Sequence, residues 1–277
     1  MATSLLRNLR NPAVVVAFSG WSDAAEAASG VIDHLADQYR ALRVAALDPN
    51  DFYDFQVSRP FVSVLEDGRR TIQWPTTEAL LARLPERDLV LIGGPEPNYR
   101  WREFTDQVMS IVRSARPEVV VLIGALITDT PHSRPVPVAA TANSPYGDEL
   151  GLEPSTYEGP TGILGVLAQE CETVSISTVS LWASIPHYVA EPPDPRATLA
   201  LLARLEEVLN TPLDSGDLLL RAERWLEQVD ELVADEPEIA NYIAALEERR
   251  DEETPAPTGE SIAAEFERYL RRRNRRG

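Results

Sequence analysis

Lysine is absent from the 277 residues, so all 26 basic side chains are arginine. That absence removes chemistry that needs a side-chain amine: a P-loop lysine on a phosphate, a Schiff base with pyridoxal phosphate, or a lysine general base. Cysteine occurs once, at Cys171, which excludes an intrachain disulfide and implies no oxidising compartment. Its place between Glu170 and Glu172 raises the thiol pKa, so an inert thiol is expected. The three histidines, His34, His132 and His187, fall at none of the spacings that hold zinc. Neither a metal nor a cofactor is expected. No apolar run approaches a membrane span, and Met1 to Arg10 lacks the apolar core of a signal peptide. A cytoplasmic protein without membrane contact is expected.

Positive charge is also in short supply. Acidic residues outnumber basic ones by 44 to 26, a formal charge of −18 at pH 7. Such a chain repels polyphosphates at long range, so nucleic acid is not an expected partner. What is present is ordinary for a globular protein: 44% hydrophobic and 25% charged residues. The length suffices for a core that needs no disulfide or metal.

The apolar runs Ala13–Phe18, Leu89–Ile92 and Val119–Ile123 each end in glycine or serine, as strands buried on both faces do. Ser22 is placed to cap a helix over Ala24–Tyr39, and a second helix is expected over Trp101–Ser114. Further strands are expected at Arg43–Leu47 and Thr173–Leu181, with a proline-flanked edge strand at Val136–Ala140. Asp67-Gly68 marks a hairpin between Phe61–Leu65 and Arg70–Trp74. Another helix is read over Gly162–Glu172. Alternating strands and helices predict a three-layer α/β fold.

From Pro192-Pro193-Asp194-Pro195 onward only helical periodicity remains. The expected organisation is an α/β core over 1–195, an acidic helical region over 196–250, and over 251–277 a linker, a short helix and an arginine-rich tail. That tail, Arg271–Gly277, reads as solvated or paired with the chain's own acids.

In an open α/β sheet, ligands bind beyond the carboxyl ends of the strands, and the unusual residues gather there. Trp21 and Asp23 follow the first strand, Glu96 and Arg100 the Leu89 strand, and His132 and Arg134 the Val119 strand. His187 follows the last strand, and Tyr157 and Glu158 precede the Gly162 helix. One reading is an enzyme or sensor for a nucleoside or phosphate-type ligand. Gly93-Gly94, Gly20 and Ser22 would offer backbone amides to an anion, and Arg100 or Arg134 a guanidinium fork. His132 or His187 would be a general base oriented by Asp129, Glu96 or Glu158. No dinucleotide fingerprint, P-loop or serine elbow accompanies them. Structural or protein-contact roles suit each residue taken singly.

An ordered set of motifs resembles the actinobacterial branch of the PAC2 family, named for a proteasome assembly chaperone. They are Ala13-Val14-Val15-Val16-Ala17-Phe18-Ser19-Gly20-Trp21-Ser22-Asp23-Ala24, Gly94-Pro95-Glu96-Pro97 and Pro131-His132-Ser133-Arg134-Pro135. Tyr157-Glu158-Gly159-Pro160-Thr161-Gly162-Ile163 and Ser184-Ile185-Pro186-His187-Tyr188 complete the set, and the resemblance runs from about Ala13 to about Arg250. It implies a three-layer α/β/α core like that of purine nucleoside phosphorylases, homo-oligomers with a trimer favoured, and no established activity. Relatives that dock on proteasome core particles end in a hydrophobic–tyrosine–any-residue tail. This sequence continues past Tyr269 to Arg275-Arg276-Gly277, so that docking mode is not expected. The expectation is a cytosolic, oligomeric, protein-binding or assembly-chaperone-like module, with any proteasome link resting on the resemblance alone.

Overall fold

The computed structural model describes residues 5–253 except Glu66, Ser144 and Asp235. The expected linker, terminal helix and arginine-rich tail therefore lie outside the described residues beyond position 253. Two compact units divide between Val229 and Asp230.

The first unit is built on a seven-stranded sheet in the order β2-β5-β6-β1-β7-β9-β8. Its heart is parallel: β6 (Asp88–Pro95), β1 (Ala13–Ser19), β7 (Val119–Thr128) and β9 (Thr178–Pro186). The outer strands run antiparallel: β2 (Leu42–Ala46) and β5 (Glu78–Arg83) at one edge, β8 (Val138–Ala142) at the other. Because β1 alternates into two cores, its apolar run is unbroken. Ala13, Val15 and Ala17 face one helix layer, and Val14, Val16 and Phe18 the other. The first layer is α1 (Ala27–Gln38) with α6 (Pro195–Leu209). The second is α3 (Trp101–Ala115) with α5 (Ile163–Thr173). In the second, Phe104 meets Phe18 and Phe52 edge-to-face at 5.5 and 5.3 Å. The three-layer α/β/α core matches the sequence reading.

Short elements decorate this frame: α2 (Pro49–Phe52), α4 (Pro145–Leu150), and a separate hairpin of β3 (Phe61–Val64) and β4 (Arg70–Gln73). The hairpin is where Asp67-Gly68 predicts it. Residues 195–209 form α6, which packs on α1 and β9 within the first unit. After it come α7 (Leu218–Ala234) and α8 (Pro237–Glu253).

Three local readings change. The helix expected to start at Ala24 opens with a 3-10 turn over Ala24–Glu26, with Ala25 and Glu26 both in the left-handed region at φ 53° and 52°. The last strand begins at Thr178, five residues later than expected, because Val174–Ser177 closes α5: Ser175 takes φ 58° and the Ile176 amide donates to the Cys171 carbonyl at 2.8 Å. The strand also runs on past the expected end at Leu181, so Trp182 to Pro186 are strand. Strand β5 has no counterpart in the sequence reading. Among the described residues, no helix is long and apolar enough to cross a membrane.

Candidate functional site

The carboxyl ends of β6, β1 and β7 lie side by side, and the loops that leave them form one rim of the sheet. Asp23 is buried at the end of β1, in a parallel bridge to Ala125. Its Oδ1 accepts from the Ala28 and Ser29 amides at 2.8 and 3.1 Å, and its Oδ2 from the Ser29 hydroxyl. It therefore caps the start of α1 across the left-handed kink. Burial outweighs these bonds and lifts the carboxyl above its ordinary pKa. Ser22, the expected cap, is instead buried with its hydroxyl unpartnered among the described residues. A one-residue shift explains the difference, since the 3-10 turn brings Asp23 and not Ser22 to the free amides.

Glu96 serves α5 in the same way. Its Oε1 accepts from the Ile163 amide at 2.9 Å, so an acid from the β6 loop caps a helix 67 residues away. A Cβ built on Gly162 would stand 2.9 Å from the Ser22 Oγ, 3.0 Å from the Glu96 Oε1 and 3.2 Å from the Trp21 ring. The Gly162 position thus brings three rim residues together, and the carboxylate fills the helix end that an anion would need. Tyr157 is exposed and donates to the Pro160 carbonyl at 2.8 Å. Glu158 is exposed and takes no hydrogen bond or ion pair among the described residues.

The other candidates form separate groups. Arg100, left-handed at the start of α3, pairs with Asp51, and its guanidinium lies 5.9 Å from the centre of the Phe52 ring. His132 is buried, with its amide donating to the Tyr188 hydroxyl at 2.7 Å and its Nδ1 at 2.8 Å from the same oxygen. Arg196 of α6 donates to the carbonyls of both His132 and Arg134. His187 Nδ1 lies 3.6 Å from Asp129 Oδ1, beyond hydrogen-bond reach.

The single thiol is buried beside Met109, with Sγ 3.7 Å from Sδ. Burial is the main cause of its raised pKa, and Glu170 adds to it. Sequence reasoning passed over Ser29, Thr77 and Arg196, which complete these networks from other elements. Tyr53, held by Thr77 at 2.6 Å and by the Pro95 carbonyl at 3.0 Å, has its phenol pushed up to about 12 by burial. Among the described residues, no three His, Cys, Asp or Glu side chains gather as a metal site would require. A cleft of about 740 Å³ lies elsewhere on the first unit, between α1 and the β3–β4 hairpin, and none of the nine candidates lines it.

The PAC2 family model matches residues 17–233. A PAC2 family protein from Streptomyces avermitilis is 46% identical, with 83% of this chain and 99% of that one covered and a TM-score of 0.78. The proteasome-assembly chaperone homologue of Mycobacterium tuberculosis is 42% identical, with the same coverage and a TM-score of 0.75. A Corynebacterium glutamicum protein of unknown function is 26% identical, covering 89% of this chain and 93% of that one with a TM-score of 0.80. No functionally curated protein matches. With its motifs on the loops of a shared sheet and its family model spanning most of its length, the chain belongs to the PAC2 family.

Proposed function

We propose that this chain is an assembly-chaperone-like module that binds a protein partner through the rim beyond β6, β1 and β7, and that the partner is a proteasome subunit. The 42% identity with a proteasome-assembly chaperone homologue supports the class of partner. One observation at the rim carries the choice of surface. Its acids Asp23 and Glu96 are engaged in helix caps, while Trp21 after β1, Ile127 near the end of β7 and Tyr157 ahead of α5 stand 63%, 58% and 66% exposed. Exposed apolar side chains around carboxylates already spent on helix caps suit an interface core better than a catalytic pocket.

The same reading includes self-association, with a trimer as the expected form, and a cytoplasmic location. Light scattering that finds only monomer would remove the oligomer. The function is tested by mixing the purified chain with separately prepared proteasome α- and β-subunits of the same species and following core-particle formation on native gels. A complex or faster assembly is expected, lost in a Trp21→Ala, Tyr157→Ala double variant whose melting curve is unchanged. No complex and no change in assembly with the intact chain would overturn the partner. An equally active double variant would overturn the rim.

A further inference from the structure

The cleft between α1 and the hairpin has a volume of about 740 Å³, within the range of small-molecule sites. It is lined by residues of β2 and β5, at one side of the large sheet, and by the hairpin, which forms its own two-stranded sheet. Its far wall is fixed. Gly94, at φ 150°, has no Cβ, and one there would stand 2.5 Å from the Thr76 carbonyl oxygen, so the chain leaving the hairpin lies directly on β6. Trp74, just before that contact, is braced edge-to-face by Phe55 at 4.9 Å and still shows 52% of its surface. Ile72 and Leu80 extend the apolar side.

The charges are unequal. Arg43 and Glu78 pair at 2.8 Å and cancel. Asp33 faces the cleft from α1 with no hydrogen bond or ion pair among the described residues. Although much of Asp33 is exposed, partial desolvation is the main cause that raises its pKa, and Asp37, Asp23 and Glu26, all of its own sign, add to it. A carboxylate in that position gains from a cation and repels an anion.

We propose that this cleft is a binding site for a small organic cation, an amine or guanidinium that pairs with Asp33 while a flat apolar body lies against Trp74, Ile72 and Leu80. The cleft touches the rim through Ser29, which bonds to Asp23, and through Gly93-Gly94, but neither Asp33 nor Trp74 belongs to the proposed protein-binding surface, so the two readings are tested by different variants.

The test titrates the full chain by calorimetry with three probes of one shape: 2-phenylethylamine, the neutral 2-phenylethanol and the anionic 3-phenylpropionate. The amine is expected to saturate, the alcohol to bind about tenfold more weakly, and the acid not to bind. Asp33→Asn should erase the advantage of the amine over the alcohol, and Trp74→Ala should weaken both. Asp33→Ser serves as a second variant if the first does not fold. Three outcomes would overturn the proposal: no saturable heat with the amine up to about 10 mM, equal binding of amine and alcohol, or an advantage that survives loss of the carboxylate.

Discussion

Asp23 does two things that pull in opposite directions. Its carboxylate closes the free amides at the start of α1, and the same burial makes its ionised form costly. As pH falls, the folded chain binds a proton at Asp23 before the unfolded chain does. Asp23 therefore favours folding below the ordinary carboxylate pKa, and that contribution is lost as pH rises through the raised value. Asp23→Asn keeps the oxygen acceptor and removes the charge. Denaturant melts between pH 4 and pH 7 should show a flatter pH dependence for this variant than for the parent. Asp23→Ala strips the cap and should cost about 1–3 kcal/mol at neutral pH. A parent and Asn variant with parallel profiles would show that burial does not govern this carboxyl. Glu96 illustrates the same economy of function at this scale: a residue that reads as a general-base partner from its loop position is a helix cap in three dimensions.

Among the elements, α6 and α8 test how stability is distributed. The α6 face of Ala197, Leu201, Leu202 and Leu205 is fully buried in the first core, and Asp194 caps it at Ala197 while its own amide reaches the Ala25 carbonyl at 2.9 Å. Of the described α8 side chains, only Ile243 and Leu246 are buried. Hydrogen exchange should find α6 amides opening only with global unfolding, together with β1 and β7, and α8 amides exchanging at least about a hundredfold faster. Equal protection of the two helices would contradict this.

Legibility in the sequence follows the same division. Strands β1, β6 and β7 are readable because burial on both faces leaves an unbroken apolar signal. Strand β5, Glu78-Ala79-Leu80-Leu81-Ala82-Arg83, is not, because its residue types favour helix and its pairing with β6 on one side, from Glu78 opposite Gly93 to Arg83 opposite Asp88, and with β2 on the other holds it extended. The rim was visible because loops after parallel strands collect unusual residues. The cleft was not, because its walls come from α1, the strands β2, β5 and β6 and a hairpin that share no local motif.

For the molecule as a whole, charge is the dominant global property. A chain of −18 repels itself, and exposed pairs such as Arg69 with Asp67 relieve little of that in water. Raising NaCl from about 20 to 200 mM at pH 7 should therefore raise Tm by a few degrees, and by less near pH 5 where carboxylates begin to protonate. A Tm that falls with salt would mean that attractive pairs outweigh the repulsion.

Cys171 lies buried against Met109, and the chain has no lysine. Under native conditions the side chains are therefore nearly silent to both thiol- and amine-directed reagents. A single cysteine in place of the exposed Glu158, next to Tyr157, would carry a photo-crosslinker or spin label with no competing position, so the natural protein is already a ready-made background for mapping what touches its rim.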